Sequence, residues 1–305
     1  MLITRLLFVL FIQNVMAANA QTITIIAANT KEPLPFATIQ NLRAQWAQVG
    51  SENGVFTFTE ANSKVGDSIL ISYTGYLPLR LVKPKVGITL NMEPVPDMLQ
   101  LVEVLPCKGN KKGKLVNFKK NKSGWSLGSN EKALATWAAF IPNEAHAKAI
   151  ISTITFSLST LGVPKSNKGA PFKIRLHQYD KNTNLPGTSF LFKDLVVYPT
   201  SKNVIIDISK ERLRLPENGI VVVIDFFYEG EQYVHAHKTK IIHNDGSSAD
   251  TIMKNYGSSI KAIYAENVIG IGYVYAYQKN IWYELKNSRN QNLAPKIELS
   301  LKLCD

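Results

Sequence analysis

Apolar and polar residues alternate with a period of two along most of this chain. At its C-terminal end Ile297, Leu299, Leu301 and Leu303 alternate with Lys296, Glu298, Ser300 and Lys302. A period of two puts every apolar side chain of such a run on one face of a strand, whereas a helix would scatter them around its axis. The pattern recurs. Phe56 and Phe58 oppose Thr57 and Thr59, and Ile69, Ile71 and Tyr73 share a face, as do Ile88, Leu90 and Met92. Farther on, Ile154, Phe156 and Leu158 oppose Thr153, Thr155, Ser157 and Ser159, and Phe172, Ile174 and Leu176 oppose Lys173, Arg175 and His177. Val204, Ile206 and Ile208 follow the same rule, while the run 220–224 is apolar on both faces, as a central strand requires. Turn residues separate the runs, among them Asn53-Gly54, Gly66-Asp67, Gly75 and Pro84. The fold class is therefore all-β, built from sandwiches. One short helical segment is expected, at 131–139.

Composition removes several classes. The 305 residues are 45% hydrophobic and 19% charged, with two cysteines. That excludes a wholly disordered chain, a collagen-like one, a disulfide-rich miniprotein and a multi-cysteine zinc site. The net charge is +12, and +7 of it falls in residues 104–122: Lys108, Lys111, Lys112, Lys114, Lys119, Lys120 and Lys122. Residues 21–103 carry a net −1 and residues 123–305 a net +5. The lysine run reads as a solvated, self-repelling linker at 106–122. The alternative is contact with an anionic surface such as lipid headgroups or acidic glycan. No recognition helix or zinc finger accompanies the run, so no nucleic-acid partner is expected.

Residues 1–20 have the form of a signal peptide: Arg5, an apolar core from Leu6 to Ile12, and the cleavage pattern Ala18-Asn19-Ala20. The expectation is an exported protein, periplasmic, outer-membrane-associated or secreted. Export permits a disulfide between Cys107 and Cys304; two free thiols or a crosslink to another chain remain open.

Four pieces of the segment 21–105 carry a family resemblance. They are Pro33-Leu34-Pro35-Phe36-Ala37-Thr38, Asn53-Gly54-Val55-Phe56-Thr57-Phe58, Gly66-Asp67-Ser68-Ile69-Leu70-Ile71-Ser72-Tyr73-Thr74-Gly75-Tyr76, and Leu101-Val102-Glu103-Val104. In this order they resemble carboxypeptidase regulatory-like domains, although Thr24 to Asn29 lacks their usual opening turn. The resemblance implies a seven-stranded, transthyretin-like β-sandwich and a noncatalytic accessory module. No His is followed three positions later by Glu, as a zinc carboxypeptidase needs. In the segment 123–305, Pro171-Phe172-Lys173-Ile174-Arg175-Leu176, Leu185-Pro186-Gly187, Val204 to Ser209 and Leu215-Pro216 are similar to a pattern in secreted bacterial β-sandwiches. These follow such modules in exported proteins of the Bacteroidetes type. A jelly-roll-like β-sandwich is expected there.

Asp180 to Asn184 has the oxygen spacing of half a calcium loop, but Leu185 and Leu191 stand where Gly and Glu belong, so a hairpin turn is expected. His235 and His237 share a strand face, with His243 beyond. Lys238 and Lys240 oppose a cation there, and no metal is expected. Tyr273, Tyr275 and Tyr277 share one face, with Trp282 and Tyr283 following. Tyrosine faces stack on sugar rings and their hydroxyls bond sugar hydroxyls, so Tyr273, Tyr275, Tyr277 and Trp282 form a candidate carbohydrate platform; core packing is the other reading. No nucleophile elbow or phosphate loop appears, and nothing ties Asp207, Asp225 and Glu229 to one cleft. No cofactor is expected. The expected function is non-catalytic binding or assembly at the cell envelope, with a glycan or an envelope protein as partner. The alternative is a secreted hydrolase acting on glycan or peptide through the C-terminal domain.

Overall fold

The computed structural model describes residues 21–59, 62–82, 87–96, 107, 111–119, 125–129, 133–160, 169–190, 194–228, 230–242, 247–277, 279–287 and 289–304. The signal peptide expected at 1–20, the strand expected at 101–104, and Lys108, Lys120, Lys122, Glu229 and His243 lie outside them. The described residues hold strands and three short 3-10 turns, and no α-helix. They divide into two compact units, one of residues up to Pro94 without 46–48 and 73–75, the other of those two short segments and the residues from Val95 onward.

Residues 21–94 contain β1 (Gln21–Ala27), β2 (Thr38–Asn41), β3 (Trp46–Val49), β4 (Val55–Phe58), β5 (Ser68–Ser72), β6 (Leu79–Val82) and β7 (Ile88–Met92). They form sheets of order β4-β1-β7 and β3-β2-β5-β6, the expected seven-stranded sandwich. Ile23, Ile25, Ile39, Phe56, Phe58, Ile69 and Ile71, the apolar halves of the alternating runs, are buried. The Gly66-Asp67 pair has a structural use. Buried Asp67 accepts Nδ2–H of Asn41 at 2.8 Å and the backbone N–H of Lys64 at 2.9 Å, tying the approach to β5 to the end of β2. A buried carboxylate without such donors would be strongly destabilising.

The second unit contains β8 (Lys112–Val116), β9 (Trp125–Gly128), β10 (Ala135–Ile141), β11 (Ala149–Thr160), β12 (Phe172–Asp180), β13 (Leu185–Ser189), β14 (Leu195–Val197), β15 (Asn203–Asp207), β16 (Ile220–Phe226), β17 (Val234–Ile242), β18 (Ser248–Tyr256), β19 (Ser259–Tyr264), β20 (Gly272–Ala276), β21 (Ile281–Glu284), β22 (Leu293–Pro295) and β23 (Ile297–Leu303). One seven-stranded sheet runs β13-β12-β16-β10-β20-β21, with β14 on β12. The other runs β22-β19-β11-β23-β8, with β15 on β11 and β9 on β19. One core joins Ile174, Val222 and Ile224 of the first sheet to Ile154, Ile260 and Leu299 of the second, as a jelly-roll-like sandwich requires. Every residue of β16 is buried, in keeping with its doubly apolar sequence. A two-stranded sheet, β17-β18, pairs with no other described strand.

Two expectations are corrected. The segment 131–139 is not helical where described. Ala135–Ile141 is a central strand between β16 and β20, because burial of both its faces outweighs the helix preference of its alanines. Residues 106–122 are not simply a connector. Lys112–Val116 forms the edge strand β8, antiparallel to β23, and Cys107 is disulfide-bonded to Cys304. Leu115 packs on the core while Lys112 and Lys114 stay exposed, so one lysine-rich segment satisfies a strand and water at once.

Candidate functional site

Two faces of the second unit concentrate polar chemistry, and the sandwich places them on opposite sheets. The first is the outer face of β12, β16, β10 and β20, where the tyrosine row stands. Tyr273 has no exposed surface. It packs with Ala138, Phe140, Val221 and Val223, and its hydroxyl donates to the Asn184 carbonyl at 2.8 Å. Tyr275 and Trp282 are half-buried and meet edge to face with centroids 5.0 Å apart; Tyr275 and Tyr277 do so at 4.8 Å. The Tyr275 hydroxyl donates to Oδ1 of Asn280 at 2.5 Å. The structure thus brings the four aromatic residues together, but removes Tyr273 from any ligand-facing role. The turn Asp180–Asn184 covers it, and Asp180 caps that turn by accepting Asn182 N–H and the Thr183 hydroxyl, the hairpin turn expected there.

Beside this cluster lies a buried ionic network that sequence reasoning did not assemble. Arg175 donates to Asp225 Oδ1 at 2.9 Å, Thr136 donates to the same oxygen at 2.5 Å, and the Tyr277 hydroxyl lies 2.8 Å from Thr136 Oγ1. Lys173 and Asp194 form a second buried pair at 3.1 Å. Burial opposes the Asp225 charge, but Arg175, Lys173 and the hydrogen bonds from Thr136 and Arg175 outweigh it and hold the carboxyl below its usual range. Burial, with Asp225 close by, pushes the Tyr277 hydroxyl far above its ordinary value. Burial and the neighbouring Arg175 lower His177 to about 4. Its Nδ1 lies 2.7 Å from the Gly187 carbonyl, so the neutral ring donates there, and its buried Nε2 has no hydrogen-bond partner. The period-two rule could have found one half of this network. Lys173, Arg175 and His177 share a strand face, and three basic residues on a sheet buried on both sides demand carboxylates opposite them.

Asp207 and Asp225 do not meet in a cleft. Asp225 is locked in its ion pair on β16, and Asp207, on β15 of the other sheet, accepts Ser209 N–H at 2.9 Å. His235 and His237 lie on β17. No cluster of three metal-binding side chains occurs among the described residues.

The second face is the outer side of β8, β23 and β11. Cross-strand register sets Lys112 opposite Lys302 and Lys114 opposite Ser300, with Thr153 opposite Ser300 and Thr155 opposite Glu298 on the far side of β23. Lys114 bonds Glu298 at 2.7 Å, and Lys296 Nζ lies 4.8 Å from the centroid of the Phe118 ring. Burial, then the charges of Lys261 and Lys114, lower the Lys296 ammonium below its usual value, although Glu298 opposes this. Two hollows of about 360 and 490 Å³ open here, the first lined by Lys114, Lys119 and Lys296, the second by Lys112 and Lys302. The sheet thus combines Lys112, Lys114 and Lys119 of the sequence's lysine run with two lysines of the last strand and its approach. Their distance in sequence hid this grouping.

No protein-family profile and no curated protein matches the chain. Among solved structures, it is similar to the clostridial cysteine protease Cwp84 after propeptide cleavage, at 11% identity and a TM-score of 0.38 over 84% of this chain and 51% of that one. It is also similar to the cysteine protease and lectin-like domains of Cwp84, a surface layer associated protein of Clostridium difficile, at 10% identity and a TM-score of 0.37 over 84% of this chain and 45% of that one. The chain spans about half the length of the structures it matches.

Proposed function

We propose that this chain is an exported, non-catalytic binding protein of the cell envelope. In this reading the first sandwich is a carboxypeptidase regulatory-like accessory module, and the second captures an anionic partner through the outer face of β8, β23 and β11. One observation carries the reading: five lysines from two distant chain segments converge with serine and threonine hydroxyls on a single open sheet face. Such a face attracts anions over roughly a Debye length and holds them through many individually weak contacts. The test is co-sedimentation of the full chain with bacterial envelopes at low salt, compared with a Lys112→Gln, Lys114→Gln, Lys296→Gln, Lys302→Gln variant. The parent is expected to sediment and to be released as salt rises, and the variant to stay in solution. Equal sedimentation of both proteins would remove the face from the function.

A second reading is favoured by the half-buried, edge-to-face pair of Tyr275 and Trp282: a neutral sugar stacking at this sheet edge. Quenching of tryptophan emission by neutral oligosaccharides, lost in Trp282→Phe, would select it.

A further inference from the structure

We propose that the lysine face binds a linear polyuronate, and that Glu298 occupies in the free protein the place of one ligand carboxylate. The inference rests on the reading that this face captures an anionic partner, and narrows it to one chemistry. The face already seats a carboxylate. Glu298 lies 2.7 Å from the Lys114 ammonium, on a strand whose neighbour sets Thr155 directly opposite it. A uronate carboxylate finds the same ammonium beside hydroxyl groups, and the sugar hydroxyls find Thr153, Thr155 and Ser300 alongside.

The arrangement is also electrostatically incomplete without an anion. Lys112 and Lys302 stand directly opposite each other, and like charges so placed destabilise a sheet. A bound polyanion removes that repulsion. Lys296 and Lys302 are six residues apart along the last strand and its approach, a span of about 20 Å. Charge spread along such a line, with hollows between, suits a chain with a repeating acidic group. A bilayer fits less well. Among the described residues of this face, the large exposed apolar side chain is Ile205, on β15, beyond β11 and away from the lysines of β8 and β23. Membrane contact favours apolar anchors among the basic residues.

The experiment is affinity electrophoresis of the full chain in gels containing polygalacturonate, with dextran gels and phosphatidylglycerol vesicles as parallel arms. Polygalacturonate should retard the protein in a salt-dependent way, and dextran should not. Lys296→Gln with Lys302→Gln should weaken retardation by about tenfold. Glu298→Gln removes the internal competitor and should strengthen it. Weakened or unchanged binding in Glu298→Gln overturns the assigned role of Glu298. Binding to vesicles without polygalacturonate overturns the polyuronate and leaves the anionic reading standing. Binding to neither removes both. Thermal unfolding of each variant checks that the fold is retained.

Discussion

At Asp225 a single carboxylate carries an Arg175 guanidinium, a Thr136 hydroxyl and the field of Lys173 inside the protein. Removing one partner of a buried pair leaves the other uncompensated, so Arg175→Met should cost about 3–5 kcal/mol in urea unfolding. Replacing the pair together with apolar residues should cost far less. His177 sets a pH dependence of definite sign. Its folded pKa of about 4 lies below the unfolded value of 6.5, so the unfolded chain binds the extra proton first. The stability tied to its neutral ring is complete above pH 6.5 and is lost as pH falls towards 4. Denaturant titrations between those limits should show a slope that His177→Phe reduces. Gly219, which turns the chain into β16, has φ +100°, and a Cβ there would lie 2.2 Å from the Ile141 carbonyl oxygen. Gly219→Ala should therefore destabilise by more than about 1 kcal/mol.

The edge strand β8 shows how far a local pattern can be read. Lys112, Gly113, Lys114 and Leu115 already alternate, with Leu115 inward. Charge density masked the alternation, because a lysine run and a lysine-protected edge strand share a composition. Gly113 lets this edge approach its neighbour: a Cβ there would come within 2.9 Å of Cδ2 of Leu303. The segment 131–139 misled in the opposite sense. Its alanines favour a helix in isolation, and only its neighbours β16 and β20 make it a strand. The β17-β18 arm stands apart in pairing, and its ends meet where Gly257 N–H donates to the Tyr233 carbonyl at 3.1 Å. Replacing 234–256 by a short glycine-rich turn should leave cooperative unfolding and the melting temperature of the second unit nearly unchanged. A large drop would mean that the arm packs as part of the core.

On the scale of the whole second unit, the Cys107–Cys304 bond joins residues 197 apart and ties the segment leading into β8 to the end of β23. Chain entropy alone assigns a loop of this size about 5 kcal/mol. Cys304→Ser should lower the melting temperature and, by loosening β8, weaken anion binding at the same face. An unaltered melting temperature in oxidising buffer would show that the edge strand holds without the bond. The all-β class, the strands β4, β5 and β7 of the first sandwich and the inward residues of β23 were legible in the sequence, because period-two alternation is a local consequence of burying one face of a sheet, and the doubly apolar run marked the buried central strand β16. So was the common face of the tyrosine row. Tertiary structure alone decided that Tyr273 is interior, that Arg175 meets Asp225, and that lysines of the run at 111–119 share a surface with Lys296 and Lys302. Those outcomes depend on which strands become neighbours, and strand pairing joins residues far apart in the chain that no local period connects.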